Sequence, residues 1–179
     1  MLGIEILGVR VAKANERLAE TPHKGVSFAK CLTPDHVGYE VAISLNSFEH
    51  FSDPDDILRR IFGALRPGGK LYMSFGPPWY SAYGPHQLEF TKMRWPHLLF
   101  SERTYMKARE HFKGAVIRKT YSDWLNQMTV VRYEETVRRS GFSVFNQEYL
   151  CTRGMGVLKH IRGLREIAIN RIACVLQKP

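Results

Sequence analysis

Asn46, Ser47, Glu49 and His50 arrive together at the end of an apolar run, in YEVAISLNSFEHF over residues 39–51. A carboxylate accepts hydrogen bonds at two oxygens and an imidazole exchanges a proton near neutral pH, so this string offers both binding and acid–base chemistry. His50 is the candidate base, and Glu49 either orients it or bonds backbone amides. A plainer explanation covers the same residues: a strand that has reached solvent, with His50 capping or packing beside the next helix. A second set follows in FGPPWYSAYGPH, residues 75–86. There Trp79, Tyr80 and Tyr83 suit the walls of a substrate pocket, and His86 adds a second titratable candidate. Packing within a lid is the alternative for this set.

The elements that must position these residues alternate between strand-like and helix-like periodicity, the signature of an α/β sheet. Val41, Ala42, Ile43 and Leu45 have the apolar, β-branched content expected of a strand buried on both faces. In an open parallel sheet ligands sit outside the carboxyl ends of the strands, which is where the polar residues stand. A helix follows: Asp53 caps it, Pro54 takes the first helical position, and Asp55 and Asp56 complement the dipole. Ile57, Leu58, Ile61, Phe62 and Leu65 share one stripe of that helix, which stops at Arg66-Pro67-Gly68-Gly69. Lys70 to Phe75 is the next buried strand, and the crossover between the two strands is expected to be right-handed.

Upstream, Gly3 to Ile6 closes a strand, Val9 to Leu18 is helical in composition, and Val26 to Cys31 is a short second strand. Residues 76–128 break the rhythm with all three tryptophans and a run of basic residues from Lys92 to Lys119. A segment of that length between core elements reads as a functional lid or inserted subdomain. Beyond it come a helix at 131–139, a strand at 142–150, a short basic helix at 156–164 and a final strand at 167–176. The last two strands are expected to form an antiparallel pair at the sheet edge.

Length and composition agree with a single domain: 179 residues, 44% hydrophobic and 24% charged. No apolar run of about 18 residues is present, so no membrane span is expected, and the opening MLGIEILGVRVAKANERLAE lacks the pattern of a secretion signal. The chain reads as cytoplasmic. Cys31, Cys151 and Cys174 are read as buried or semi-buried free thiols. The histidines show no HxxxH or HExxH spacing, so no metal centre is expected. The net charge of +9 is concentrated: eight basic against two acidic residues between Lys92 and Lys119 give +6 there. That run is either a solvated helical face or a surface for an acidic ligand.

Residues 39 to 75 resemble the middle of a class I S-adenosylmethionine-dependent methyltransferase, of the small-molecule type whose fourth strand ends in a Glu-His pair. The resemblance rests on Glu49-His50, the proline-started helix, and Leu65-Arg66-Pro67-Gly68-Gly69-Lys70 leading into a strand. It extends to Gly3-Ile4-Glu5-Ile6, similar to the end of the family's second strand, where Glu5 matches the acid that binds the cofactor ribose. It extends also to the strands after Ser140-Gly141-Phe142 and at Ile172-Ala173-Cys174-Val175-Leu176. The implied fold is a Rossmann-like sheet with an antiparallel C-terminal hairpin, and the implied cofactor is S-adenosylmethionine. Asn46, Ser47 and Glu49 match positions that flank that cofactor, and Asp35 is the candidate for the acid that binds adenine. The insert sits where the family often builds its substrate cap.

The family's first strand and glycine-rich turn, which precede the ribose-binding strand, have no counterpart in these residues. The sheet therefore lacks a central strand, a hole of about 9.6 Å given strands about 4.8 Å apart. Unpaired groups on both neighbours are expected, and the domain reads as N-terminally truncated unless another segment fills the gap. Methyl transfer from a sulfonium needs alignment and a dry site, and a base only when the acceptor loses a proton. Gly76-Pro77-Pro78-Trp79 superficially resembles the (Asp/Asn)-Pro-Pro-Tyr motif of amino-group methyltransferases, but Gly76 replaces the acceptor, so nucleobase methylation is set aside. The expected activity is methyl transfer to a small-molecule acceptor, impaired or absent in a truncated chain. The alternatives are a non-catalytic methyltransferase-like interaction protein, and an RNA-binding or RNA-modifying protein.

Overall fold

A computed structural model describes residues 1–114 and 119–179. Its strands form two sheets rather than one. In the first, β1 (Leu2–Ile4) pairs in parallel with β2 (Ser27–Ala29), joined by helix α1 (Gly8–Glu20). In the second, β3 (Tyr39–Leu45), β4 (Leu65–Phe75), β6 (Ile169–Gln177) and β5 (Ser143–Cys151) lie in the order β3-β4-β6-β5. The β3–β4 pairing is parallel and the pairings of β6 with β4 and with β5 are antiparallel. The C-terminal hairpin therefore lies at the sheet edge, as expected.

The division falls at β3. Among the described residues β3 pairs on one side only, with β4. Val41, Ile43 and Leu45 are 50%, 69% and 59% exposed. This corrects the reading of β3 as buried on both faces: Val41, Ile43 and Leu45 are alternate residues that share one face, and that face stays in solvent while Ala42 and Ser44 on the other are half-buried.

Helix α2 (Pro54–Ala64) connects β3 to β4. The Asp53 carboxylate accepts from the Asp56 amide at 2.9 Å and Pro54 opens the first turn, as the sequence requires. Leu65 leaves the helix in an extended conformation. The pairing with β3 slips between Tyr39 and Val41, opposite Arg66–Gly69, where Gly68 takes φ +78°. The principal core gathers Phe48, Leu58, Leu71, Met73 and Phe75 with Val130, Tyr133, Ile172 and Leu176. Tyr133 and Val130 come from α5 (Val130–Arg139), whose first amides, Val130 and Val131, donate to the Glu166 carboxylate at 2.9 and 2.8 Å.

The insert holds α3 (Pro96–Leu99) and α4 (Glu102–Lys113) and has its own aromatic cluster, Tyr105, Tyr121, Trp124 and Leu125, with Trp79, Phe90 and Met106 packed against it. Part of its positive charge is engaged: Arg109 lies 4.4 Å over the Trp124 ring and Lys113 pairs with Glu89 at 2.9 Å. Arg118 lies outside the described residues. Two smaller readings change. Residues 156–164 contain a single tight turn, Gly156–His160, and α6 (Arg165–Ala168) follows it in place of one basic helix. Cys31 is an exposed thiol rather than a semi-buried one, while Cys151 is half-buried and Cys174 buried. No helix among the described residues is long and apolar enough to cross a membrane.

Candidate functional site

The carboxyl ends of β3 and β4 lie side by side, with Leu45 opposite Ser74. Asn46 follows β3 with φ 50°, a left-handed conformation that asparagine tolerates, and its amide donates to the Ser74 carbonyl at 2.7 Å. The chain then closes into one tight turn, Phe48–His50. Phe48 is fully buried and packs its ring on Phe51, Phe75 and Tyr133. That anchor fixes the backbone from which Glu49 and His50 project.

A second clamp comes from the far end of the insert. Asn126 donates through Nδ2 to the carbonyls of Phe48 and Phe51, at 2.8 and 2.9 Å, and its amide donates to the Glu49 carbonyl at 2.9 Å. The carbonyl of Trp124 stands 2.7 Å from His50 Nδ1. A carbonyl only accepts, so this partner assigns the proton to Nδ1 and leaves the Nε2 lone pair free to take a proton or bind a ligand. Sequence distances of 74 to 78 residues separate these partners, so no local pattern announces them.

Glu49 is 3% exposed. Its Oε1 accepts a long bond from the Gly76 amide at 3.4 Å, and its Oε2 is buried with no hydrogen-bond partner among the described residues. Burial pushes the Glu49 carboxyl above its ordinary range, while its own backbone amide, the neighbouring His50, the Gly76 amide and Arg171 pull the other way. His86 closes the group. Its backbone is left-handed at φ 56°, its amide donates to the Tyr83 carbonyl at 2.9 Å, and its Nε2 is buried without a partner. Gln87, fully buried, holds that turn by donating to the carbonyls of Ala82 and Met93 at 2.9 and 2.8 Å. Burial, with His50 adjacent, lowers the His86 pKa from 6.5 to about 4, so its ring is neutral at physiological pH. The rings of His50 and His86 are 5.3 Å apart, and one ligand atom from each of Glu49, His50 and His86 lies within 4.8 Å of the others.

The spacing rules that argued against a metal centre thus miss a trio assembled across the β4 crossover. At its rim Arg171 donates to Asn46 Oδ1 at 3.1 Å and to Ser74 Oγ at 3.4 Å. Arg171 escaped sequence reading, although a cation in the alternating strand INRIACVL is an available signal. Gly76 sits directly behind Glu49, and a Cβ there would meet the Asn170 carbonyl oxygen at 2.5 Å, with φ at +145°.

The remaining sequence candidates are dispersed. Glu5 follows β1 and accepts from the Leu7 amide at 3.0 Å and from Arg10 at 3.3 Å, which hold its carboxyl below the usual range. Asp35 lies in an exposed turn after β2. Ser47 donates to the Leu45 carbonyl at 3.0 Å. Trp79 packs against Tyr121 and His97, both at 4.8 Å, as part of the insert's cluster. Tyr80 is 40% exposed and Tyr83 half-buried. An open cleft of about 690 Å³ lies elsewhere, lined by Glu134, Arg138, Lys159 and Arg165 among others, and contains none of the site residues.

Residues 2–73 match a family model described as a methyltransferase domain. No match to a curated protein sequence is found. Among solved structures, an S-adenosylmethionine-dependent methyltransferase from Mesorhizobium loti shares 19% identity at TM-score 0.57, over 98% of this chain and 79% of that one. The [4+2]-cyclase SpnF aligns at 15% identity and TM-score 0.56, over 99% of this chain and 65% of its own. Geranyl diphosphate C-methyltransferase from Streptomyces coelicolor aligns at 13% identity and TM-score 0.59, over 99% of this chain and 62% of its own. The chain thus spans less than two thirds of the length of two of these relatives.

Proposed function

We propose that this chain, whose residues 2–73 match a methyltransferase domain and whose fold is that of class I S-adenosylmethionine-dependent methyltransferases, transfers a methyl group to a small-molecule acceptor. One observation carries the reading: Glu49 and His50, at the carboxyl end of β3, converge with His86 from the insert. The fold alone is insufficient, since a [4+2]-cyclase shares it.

The residues fit one side of the cofactor. The Glu5 carboxylate at the end of β1 suits the ribose hydroxyls, once it exchanges its bonds to Leu7 and Arg10. Asp35 is assigned to adenine, and Asn46, Ser47 and Glu49 to the flank nearest the acceptor. S-adenosylmethionine supplies an electrophilic methyl when bound. His50 Nε2 then takes the proton an acceptor loses, and the Trp124 carbonyl bonded to Nδ1 stabilises the resulting imidazolium. Trp79, Tyr80 and Tyr83, from the insert, are assigned to the acceptor wall, with the insert as cap. His86 is neutral and lies in contact with His50.

Opposite them β3 presents an open edge, and the 179 residues carry no glycine-rich turn for the methionine end of the cofactor. We therefore expect these residues to bind the cofactor weakly and to transfer slowly. Calorimetric titration with S-adenosylhomocysteine tests this, and micromolar affinity would overturn the weak-binding expectation. Methyl transfer itself is tested with labelled S-adenosylmethionine at millimolar concentration and a panel of hydroxyl- and amine-bearing small molecules. Incorporation that is lost in His50→Ala supports the reading; none at saturating cofactor refutes it. The exposed Val41, Ile43 and Leu45 favour a second reading, a non-catalytic methyltransferase-like interaction protein. That reading predicts no cofactor-dependent labelling under any of these conditions.

A further inference from the structure

We infer that Glu49, His50 and His86 form a binding site for one divalent first-row transition ion, two imidazoles and a carboxylate on one face with the remaining positions open to ligand. Three independent features of the geometry carry this. The ligand atoms are already within 4.8 Å of one another, whereas ligands held about 2.0–2.2 Å from a shared ion stand roughly 3–4 Å apart, so closure takes about 1 Å of side-chain movement. Glu49 Oε2 and His86 Nε2 are buried in the same group without partners among the described residues. Orphaned polar atoms of this kind are costly unless something satisfies them, and a cation satisfies both at once. Finally, His50 Nδ1 donates to the Trp124 carbonyl, the outer contact that orients a ligating histidine and frees Nε2.

The donor set selects the ion. Two neutral imidazoles favour zinc, iron or cobalt over magnesium and calcium, which prefer oxygen alone. His50 lies on the exposed side of the trio and gives the ion an entry path. Three protein ligands leave at least one coordination position for water or an acceptor oxygen, as at catalytic rather than structural zinc. If the methyl-transfer reading holds, on which this extension rests, the ion occupies His50 Nε2 and replaces it as the activating group: it lowers the pKa of an acceptor hydroxyl, whose proton passes to water, and selects oxygen acceptors over amines.

The full chain, stripped with chelator and dialysed, is titrated with Zn²⁺ by calorimetry and with Co²⁺ by visible absorption. One ion per chain is expected. Glu49→Gln and His86→Asn should each weaken binding by more than about 10–100-fold, the loss found when even outer-shell partners are removed. His111→Asn, on an exposed helix of the insert, should leave it unchanged. Binding that survives both site variants, or a folded protein that binds no ion, overturns the inference. Should a variant fail to fold, X-ray absorption of the wild-type Zn²⁺ complex decides: a shell containing two imidazoles and oxygen supports the site, and a sulfur or imidazole-free shell refutes it. Metal binding is read without any methyl donor. A chain that binds Zn²⁺ but never transfers a methyl group therefore refutes the function and leaves the site intact.

Discussion

Asn126→Ala tests whether the insert holds the Phe48–His50 turn in place. The Asn126 side chain donates to two carbonyls of the turn, Phe48 and Phe51, and does so across 75 or more residues of sequence. Each bond contributes about 1 kcal/mol net, and the two carbonyls left facing a methyl group add roughly another 1 kcal/mol of desolvation cost. One contribution opposes these. Asn126 Oδ1 is itself buried without a partner among the described residues, so its removal recovers about 1 kcal/mol. The expected net loss is about 2 kcal/mol, or a fall in Tm of about 4–8 °C for a chain of this size. Urea unfolding followed by circular dichroism measures it. Asn126→Asp should be worse than Asn126→Ala, because a carboxylate oxygen would then face two carbonyl oxygens at hydrogen-bond distance. The Glu49 carbonyl keeps its bond in both variants, since Asn126 provides it from the main chain. An Asn126→Ala protein within about 0.5 kcal/mol of wild type, or an aspartate variant more stable than the alanine one, would refute the clamp.

Other outcomes follow from single contacts. Gly76→Ala should destabilise by more than about 2 kcal/mol, since its Cβ would lie 2.5 Å from the Asn170 carbonyl oxygen at a φ that side chains rarely adopt; a thermal melt within a few degrees of wild type would contradict this. Ile43→Lys should cost less than about 0.5 kcal/mol, because Ile43 is 69% exposed on an open edge; a chemical-denaturation loss of 2 kcal/mol would mean that something covers β3. His97 is held neutral in the fold, its pKa lowered by burial from 6.5 to about 4. Between those values the unfolded chain binds the extra proton, so stability should fall as pH drops through that window. His97→Gln should flatten the slope of urea midpoint against pH there, and an unchanged slope would show that His97 is already protonated in the fold.

The segment from β3 through α2 to β4 was legible because each boundary has a local cause: the Asp53 cap, Pro54, and the turn around Gly68. The strand after the helix, read from Lys70, in fact starts at Leu65 and slips register around Gly68, which no residue pattern announces. The position of the sheet's division was legible too, as a missing central neighbour for β3. What escaped was the exposure of one face of β3, because residue types report what a strand suits rather than what lies beside it. The candidate site divides in the same manner. Glu49 and His50 stand out by their place at a strand end. Their union with His86, and the clamp through Trp124 and Asn126, depend on how the insert folds back, and its long-range bonds leave no periodicity to read.

That fold-back has a consequence for how the two halves of the site depend on each other. Every contact that fixes the trio comes from the four-stranded sheet or the insert: Phe48 on Phe75 and Tyr133, His50 on Trp124, Glu49 on Gly76, and His86 through Tyr83 and Gln87. None comes from β1, α1 or β2, which carry Glu5 and form a separate sheet. A link between the two units is the bond from Arg60 to the Leu32 carbonyl at 3.2 Å, on the exposed surface. The trio is therefore preorganised by contacts that owe nothing to β1, α1 or β2. Under the proposed assignments, weak binding at the ribose and adenine residues, Glu5 and Asp35, is compatible with an intact Glu49–His50–His86 group, because different elements hold these two sets.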